Sequence, residues 1–238
     1  MKEIADLLKA SSYTTIMTGA GMSTESGLPD FRSQQGLWQK YDPVKMASTE
    51  AMRSNRSAFV SFYKKRIEAL QGVSPNDGHI LLSEWERNGL VQQIITQNVD
   101  NLHQEAGSRL VSELHGSLAA LRCNDCGKKE DPSRYVRAEI KCPSCSGLLR
   151  PDIVLFGEML PSRALEDAEK AALQSDLFIV MGTSLTVAPA SYFPQDAKQN
   201  GASLVIINES ETELDYLADY LFTGHSISET IRLINARL

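Results

Sequence analysis

Short apolar runs alternate with amphipathic segments along this chain. Runs rich in β-branched and aliphatic residues predict strands at residues 14–18, 93–97, 111–114, 177–181, 203–207 and 220–222. Apolar positions three and four apart predict helices at residues 160–173 and 226–238. Strands that alternate with helices predict an α/β fold with a Rossmann-like, mostly parallel sheet.

Two regions interrupt this alternation. Residues 27–65 have turn residues and helix-like pieces but no strand pattern. Residues 123–150 are polar, contain every cysteine of the chain and are rich in turn residues. We interpret the first as a helical insertion into the sheet and the second as a small inserted module.

Composition narrows the class of protein. With 238 residues, 42% hydrophobic and 23% charged, the chain suits one folded domain that carries a small insert. The net charge of −6 and the absence of a dense lysine and arginine run predict no direct binding to nucleic acid. The chain shows no signal-peptide pattern and no apolar run long enough to span a membrane, so we expect a cytoplasmic, reducing environment.

All four cysteines fall in one pattern, Cys123-x-x-Cys126 followed after 15 residues by Cys142-x-x-Cys145. This is zinc-ribbon spacing, in which two tight turns each offer two thiolates. Four thiolates close a tetrahedral site with no open position for water, which predicts one structural zinc ion. Two disulfides or four unrelated buried thiols are the alternative interpretation.

A glycine-containing loop, Gly19-Ala20-Gly21, follows the first predicted strand. Glycines at these positions allow backbone N–H groups to approach a pyrophosphate closely. The third glycine of the dehydrogenase fingerprint is replaced by Thr24, and no strand ending in an acidic residue follows about 20 residues later. The loop therefore disfavours hydride transfer, and a glycine turn without a ligand remains an alternative.

The residues after this loop carry a specific resemblance. Residues 19–32, GAGMSTESGLPDFR, resemble the sirtuin signature almost residue for residue. Further matches follow in order along the chain: TQNVD at 96–100, LHG at 114–116, the four cysteines, VLFGE at 154–158 and GTS at 182–184. The chain is thus similar to bacterial or archaeal sirtuins over nearly its whole length.

The resemblance implies an NAD-dependent protein lysine deacylase, chiefly a deacetylase. Such enzymes act on acylated-lysine protein substrates and release nicotinamide, O-acyl-ADP-ribose and free lysine. It also implies a division of the chain: a Rossmann-like NAD-binding domain at 1–26, 90–120 and 151–238, a cofactor loop and helical insertion at 27–89, and a zinc-binding module at 121–150.

By the same resemblance, residues at strand ends and in the cofactor loop would bind NAD. These residues are Gly19, Ala20, Gly21, Asp30, Phe31, Arg32, Gln97, Asn98, Asp100, Gly182, Thr183, Ser184, Asn208 and Glu209. Residues 30–32 would belong to a loop that closes over the cofactor. Simpler interpretations are a core aromatic for Phe31, a surface charge for Arg32 and a turn residue for Asn208.

The resemblance assigns catalysis to His115, Asn98 and Asp100. Asn98 and Asp100 would line the nicotinamide pocket, and an imidazole such as that of His115 can take a proton near neutral pH. In the sirtuin mechanism the matching histidine removes a proton from a ribose hydroxyl. His79 and His225 suit structural roles, and His103 follows the Asn98 motif and supports it.

Contacts with the substrate peptide are expected along residues 154–157. By resemblance, Val154, Leu155, Phe156 and Gly157 would pair with the substrate peptide as an added strand, with Val187 on the other side.

Tyr63 and Arg66 lie three residues apart on a predicted helix and therefore on one face of it. They match the Tyr-x-x-Arg pair with which some sirtuins bind the carboxylate of succinyl or malonyl lysine. Those relatives usually carry Ala where this chain has Thr24, so we expect Thr24 to narrow the pocket. An amphipathic helix with an exposed arginine is the alternative.

Three rival functions follow from the same residues. A mono-ADP-ribosyltransferase would use the same site with another nucleophile. An NAD-sensing or zinc-ribbon interaction module would leave Asn98, Asp100 and His115 without a purpose. An NAD dehydrogenase is disfavoured by the missing acidic residue and by the Asp30-Phe31-Arg32 loop.

Overall fold

The structure is a computed structural model that describes residues 1–238. Its main sheet has six strands, all of them parallel. Its strands are β1 (Thr14–Thr18), β2 (Gln93–Thr96), β3 (Val111–Glu113), β7 (Leu177–Met181), β8 (Ser203–Asn208) and β9 (Tyr220–Thr223). Their order across the sheet is β3-β2-β1-β7-β8-β9. All the strands that the apolar runs predict are confirmed, with ends that differ by a residue at most.

Both faces of this sheet are covered by helices, because its central strands carry apolar side chains in both directions. Ile16 and Ile179 belong to a core under α1 (Lys2–Ala10), α6 (Asp77–Arg87) and α11 (Ile227–Asn235). Met17 and Val180 belong to a core under α9 (Ser162–Gln174) and α10 (Tyr192–Gln199). The predicted helices at 160–173 and 226–238 are confirmed as α9 and α11.

The helical insertion between β1 and β2 begins with a 3₁₀ helix, Ala20–Ser26. It continues with α2 (Leu37–Lys40), α3 (Pro43–Met46), α4 (Thr49–Ser54) and α5 (Arg56–Ala69), and then reaches α6. A short helix, α7 (Leu102–Glu105), follows β2, and a second 3₁₀ helix, Asp215–Leu217, precedes β9. The absence of strands from residues 27–65 agrees with the sequence pattern.

A second, antiparallel sheet is built around the cysteines, and the apolar pattern does not predict it. Its strands are β4 (Gly116–Cys123), β5 (Lys129–Glu130) and β6 (Leu149–Ile153), and α8 (Ser133–Val136) lies between β5 and β6. A third core joins this sheet to α5 and includes Phe59, Tyr63, Tyr135 and Leu149. The cysteine module and the helical insertion therefore share buried surface.

The strand order creates a crevice at the carboxyl ends of the central strands β1 and β7. The chain adds β2 and β3 on one side of β1 but β7, β8 and β9 on the other. Ligands of open α/β sheets bind at such a switch point, outside the carboxyl ends of the strands. The residues that follow β1 and β7 meet there, because the N–H of Gly21 donates to the carbonyl of Gly182 at 2.9 Å.

No helix of the protein combines the length and the apolar character that crossing a membrane requires.

Gly182 is required where these two loops touch, and this can be tested. Its φ of +65° suits glycine, and an added Cβ would lie 2.5 Å from the backbone nitrogen of Met22. We expect Gly182→Ala to lower the free energy of unfolding by about 2 kcal/mol or more, measured by urea denaturation. Gly89→Ala is the matched control, because Gly89 has a φ of +76° but nothing within 4 Å of a Cβ. Equal losses in the two variants would show that the close approach is unimportant.

Candidate active site

One large cavity, of about 780 Å³, opens at the crevice between β1 and β7. The volume suits a ligand of dinucleotide size. Among its lining residues are Gly19, Ala20, Gly21, Asp30, Phe31, Arg32, Tyr63, Arg66, Gln97, Asn98, His115, Val154, Leu155, Phe156, Gly157, Gly182, Thr183, Ser184, Val187, Asn208 and Glu209. Every non-metal site residue proposed from the sequence lies here except Asp100, which lines a smaller neighbouring cavity of about 150 Å³. Asn98 and Arg66 line both cavities.

Three free backbone N–H groups lie at the loops that follow β1 and β7. Those of Ala20, Thr183 and Ser184 have no hydrogen-bond partner within the protein, whereas that of Gly21 is occupied by Gly182. Gly21 is required because it lacks a side chain, which lets the two loops approach closely; a Cβ there would lie 2.8 Å from the Cα of Gly182. Free N–H groups clustered beside a cavity are suited to an anionic group such as a pyrophosphate.

Asn98 and Asp100 are held by one serine that the sequence analysis missed. The amide nitrogen of Asn98 donates to the carbonyl of Gly19 at 3.0 Å and to the hydroxyl of Ser23 at 3.1 Å. The Ser23 hydroxyl in turn donates to Asp100 at 2.7 Å. This fixes the orientation of the Asn98 amide and leaves its oxygen free to accept a hydrogen bond from a ligand. Ser23 lies inside the matched motif, but nothing in its residue type indicated this bridge.

A buried histidine lies behind this network. His103 is 1% exposed, and its Nε2 lies 2.8 Å from the hydroxyl of Thr18. The Thr18 hydroxyl contacts that of Thr96, which accepts the backbone N–H of Asn98 at 3.1 Å. His103 therefore contacts the residues that support Asn98, as the sequence suggested. His79 caps α6 through Asn76, in agreement with a structural role.

His115 follows β3 and precedes β4, and its ring tautomer follows from one hydrogen bond. Its Nδ1 lies 2.9 Å from the carbonyl oxygen of Gln97. Because a carbonyl only accepts, Nδ1 carries the proton and Nε2 is the basic nitrogen. Burial lowers the pKa of His115, and the positive charge of Arg32 lowers it further, against the bond to Gln97. The imidazole is therefore neutral near pH 7 and able to accept a proton.

The backbone of residues 154–157 is tied down on one side. The N–H of Val154 donates to the carbonyl of His115 at 2.9 Å, so the histidine and this segment are fastened together. Phe156 pairs through both backbone groups, donating to the carbonyl of Ala47 at 2.8 Å and accepting from Thr49 at 3.1 Å. The carbonyl of Val154 and both backbone groups of Gly157 have no partner in the protein. Only these groups are available to an added strand.

Tyr63 and Arg66 both face the large cavity from α5. Burial raises the pKa of Tyr63 to about 12, so its hydroxyl stays protonated. Arg66 forms no salt bridge, and its guanidinium carbon lies 5.1 Å from the centre of the Phe31 ring. Burial lowers the pKa of Arg66, against the charges of Tyr63 and Asp100. Thr24 lines neither cavity and donates its hydroxyl to the carbonyl of Gly21 at 2.9 Å. The expectation that Thr24 narrows the pocket is therefore wrong.

The loop that carries Asp30, Phe31 and Arg32 folds back on itself and rests on α5. Gly36 makes this possible, because a Cβ there would lie 2.5 Å from the carbonyl carbon of Phe31. The Phe31 ring packs on Trp38 at 5.0 Å, and Trp38 stacks on Phe62 at 6.3 Å. Phe31 therefore lies outside the three hydrophobic cores and covers the cavity, held in place by Trp38.

The four cysteine sulfurs fit a zinc ion. All four sulfurs lie within 4.8 Å of one another, with 3.4 Å between Cys123 and Cys145 and 3.8 Å between Cys126 and Cys142. Tetrahedral zinc with bonds of about 2.3 Å requires sulfurs roughly 3.8 Å apart, whereas a disulfide requires about 2.05 Å. The arrangement favours a structural zinc and excludes the two-disulfide alternative.

Comparison with known sequences places these features in a family. A sequence model described as the Sir2 family matches residues 19–189. The chain is 52% identical over 236 residues to a protein of Geobacillus kaustophilus named NAD-dependent protein deacetylase 1, covering 99% of this chain and 97% of that protein. It is 41% identical over 233 residues to an NAD-dependent protein deacylase of Thermococcus sibiricus, covering 94% and 91% of the two chains.

Solved structures of similar sequence share the fold. One is a Sir2 variant with deacetylated p53 peptide and 3′-O-acetyl-ADP-ribose, with a TM-score of 0.94, 38% identity and coverage of 99% of this chain and 97% of that chain. Another is Sir2 with p53 peptide and NAD⁺, with a TM-score of 0.89, 37% identity and coverage of 99% and 97%.

Zinc binding by the four cysteines is expected to stabilise the helical insertion as well as the cysteine module. Cys123 and Cys142 lie in the core that also contains Tyr63, and zinc binding supplies folding free energy on the order of 10 kcal/mol in small modules. We therefore expect one zinc per chain, and we expect Cys142→Ala to unfold the module and abolish activity. Zinc content and limited proteolysis check this, with the exposed Ser144→Ala as control. Full activity in a metal-free sample would contradict it.

Proposed function

Because this chain belongs to the Sir2 family, we propose that its large cavity binds NAD and an acylated lysine side by side. The protein is an enzyme, an NAD-dependent protein deacylase. The observation that carries the proposal is a single cavity lined by His115, by free N–H groups for a pyrophosphate and by a backbone segment suited to a peptide. As part of it, residues 1–26, 90–120 and 151–238 form the NAD-binding domain, 27–89 the cofactor loop and helical insertion, and 121–150 the zinc module.

NAD, when bound, supplies a ribose carbon that loses nicotinamide and is attacked by the carbonyl oxygen of the acyl-lysine. The free N–H groups of Ala20, Thr183 and Ser184 hold the pyrophosphate, and Asn208 and Glu209 after β8 meet the adenosine. The Asn98 oxygen and the Asp100 carboxylate are acceptors suited to a carboxamide N–H group. Phe31 and Arg32 cover the cavity and keep water from the reacting carbon.

His115 is the general base. Its unprotonated Nε2 takes a proton from a ribose hydroxyl, which can then attack the acyl carbon. The bond from Nδ1 to the Gln97 carbonyl strengthens as the ring becomes positive, so it stabilises the charged form that appears during the reaction. A zinc ion held by the four thiolates would have no open position for a ligand and would serve the structure of the module.

The substrate is a protein that presents acylated lysine in an extended segment. The carbonyl of Val154 and the backbone of Gly157 pair with it on one side, and Val187 lies on the other side of the cavity. Backbone pairing reads little sequence, which suits an enzyme with many protein substrates. The rival mono-ADP-ribosyltransferase function finds no support in the names of the similar proteins.

Acetyl-lysine is the main substrate, with acidic acyl groups accepted beside it. Arg66 and Tyr63 support the second part, because a guanidinium with no carboxylate partner and a protonated hydroxyl line the cavity together. A succinyl carboxylate between them would gain charge-assisted hydrogen bonds.

Removing the base tests the catalytic assignment. We expect His115→Ala to keep its melting temperature and NAD affinity but to lose deacylation by roughly 100-fold or more. In the wild type, the midpoint of the fall of kcat/KM with decreasing pH should lie below the ordinary pKa of histidine, because burial lowers the pKa of His115 and the base must be neutral. His225→Ala, at an exposed histidine, is the control. Near wild-type turnover of His115→Ala would remove this residue from the mechanism.

Acyl preference tests the role of Arg66. We expect Arg66→Met to lower kcat/KM for a succinyl-lysine peptide by roughly 10- to 150-fold while leaving the acetyl-lysine peptide nearly unchanged. Lys64→Met is the control, because Lys64 lies on the same helix but lines neither cavity. Equal losses on the two peptides would refute carboxylate binding by Arg66.

A further inference from the structure

An ion pair between the buried Arg150 and the partly buried Glu158, which Arg122 also contacts at 3.4 Å, closes the turn that follows β6. Arg150 is 1% exposed, and its Nη1 and Nη2 donate to the two carboxylate oxygens of Glu158 at 2.7 and 2.8 Å. The same guanidinium donates through Nε to the carbonyl of Pro151 at 3.3 Å and through Nη2 to the carbonyl of Ile153. One side chain therefore joins the last residues of β6 to the turn beyond them.

Glu158 also closes the turn from its other end. Its Oε2 accepts the backbone N–H of Leu155 at 2.9 Å, and its own N–H donates to the carbonyl of Leu155 at 2.9 Å. These reciprocal bonds enclose Phe156 and Gly157. The groups left without a partner are the carbonyl of Val154, before the turn, and the backbone of Gly157, within it.

Stability alone is a poor explanation for this pair. Desolvating Arg150 and part of Glu158 offsets much of their attraction, so such an ion pair adds little to the free energy of unfolding compared with apolar side chains of equal volume. Apolar neighbours are at hand, since Leu149, Ile153 and Leu155 lie in the surrounding core. What the pair provides is geometry, because a bidentate guanidinium fixes both the distance and the plane of the carboxylate.

We propose that Arg150 and Glu158 are positioning residues for the acylated peptide, holding the turn so that the Val154 carbonyl and the Gly157 N–H pair with the peptide backbone. The inference rests on the proposed binding of substrate along residues 154–157. Glu158 lines the large cavity, but its carboxylate is engaged by Arg150 and by the N–H of Leu155, so the pair acts on the peptide through the turn rather than on NAD.

Glu158→Asp tests the inference, because it keeps the charge but shortens the side chain, so that one carboxylate no longer reaches both Arg150 and the Leu155 N–H. We expect KM for an acetyl-lysine peptide to rise by roughly 5- to 10-fold, the equivalent of about one hydrogen bond. The dissociation constant for NAD, measured by calorimetry, should change by less than about twofold. Glu139→Asp is the control, since Glu139 pairs with Arg137 on the exposed surface of the zinc module.

A second variant guards against a folding defect. Arg150→Met/Glu158→Met removes both charges together, which avoids an unpaired buried ion, and should keep its melting temperature while also raising the peptide KM. An unchanged peptide KM in both variants would overturn the proposal, and so would equal weakening of peptide and NAD. A lower melting temperature with unchanged KM would mean that the pair only stabilises the fold.

Ester-substituted peptides separate this inference from the function on which it rests. Replacing the amides beside the acyl-lysine by esters, one at a time, removes an N–H that could donate to the Val154 carbonyl. If one ester raises KM in the wild type but has less effect in Glu158→Asp, the two changes are coupled and the inference stands. Equal effects in both proteins overturn it. No effect of any ester in the wild type would instead contradict peptide pairing along residues 154–157.

Discussion

The antiparallel pairing of β4 with β6 is the constraint on which the site depends. It sets Gly116 opposite Ile153, and the next backbone bond joins the carbonyl of His115 to the N–H of Val154. Gly116 is necessary there, because its φ is +71° and a Cβ would lie 2.2 Å from the carbonyl oxygen of Asp152. The backbone of His115, the proposed general base, and the segment proposed to bind substrate are therefore held together by one ladder.

The same ladder explains why a zinc module forms part of this enzyme. The end of this ladder away from His115 lies in the cysteine cluster, where Cys123 of β4 pairs with Leu149 of β6. The core around it also contains Phe59 and Tyr63 of α5. The cysteine cluster is thus joined to the side of the cavity proposed for the peptide and the acyl group, whereas the side proposed for NAD is built from the parallel sheet and the contact between Gly21 and Gly182.

The sequence predicted the parallel sheet well, because its central strands β7 and β8 are apolar runs buried on both faces. It did not predict β4 and β6, whose residues alternate irregularly and include the charged Arg150. Periodicity does not identify such strands, because their buried positions do not alternate regularly and a register shift interrupts β4 between Ser117 and Leu121.

The candidate site divides in a similar way. Residues inside the ordered motifs, such as His115 and Asn98, were found because the motifs carry them. The bridge through Ser23 and the support from Arg150 were missed, because a serine and an arginine gain these roles only from neighbours distant in sequence. Thr24 was misjudged for the opposite reason, since its place in a motif said nothing of where its side chain points.

The products of one turnover test the central claim, that a single cavity couples NAD cleavage to the removal of an acyl group. An acetyl-lysine peptide is incubated with the enzyme, with and without NAD, and all products are measured by mass spectrometry. The account predicts deacetylated peptide, nicotinamide and O-acetyl-ADP-ribose in equal amounts, and no reaction without NAD. Deacetylation without NAD, or a peptide that gains ADP-ribose and keeps its acetyl group, would contradict it.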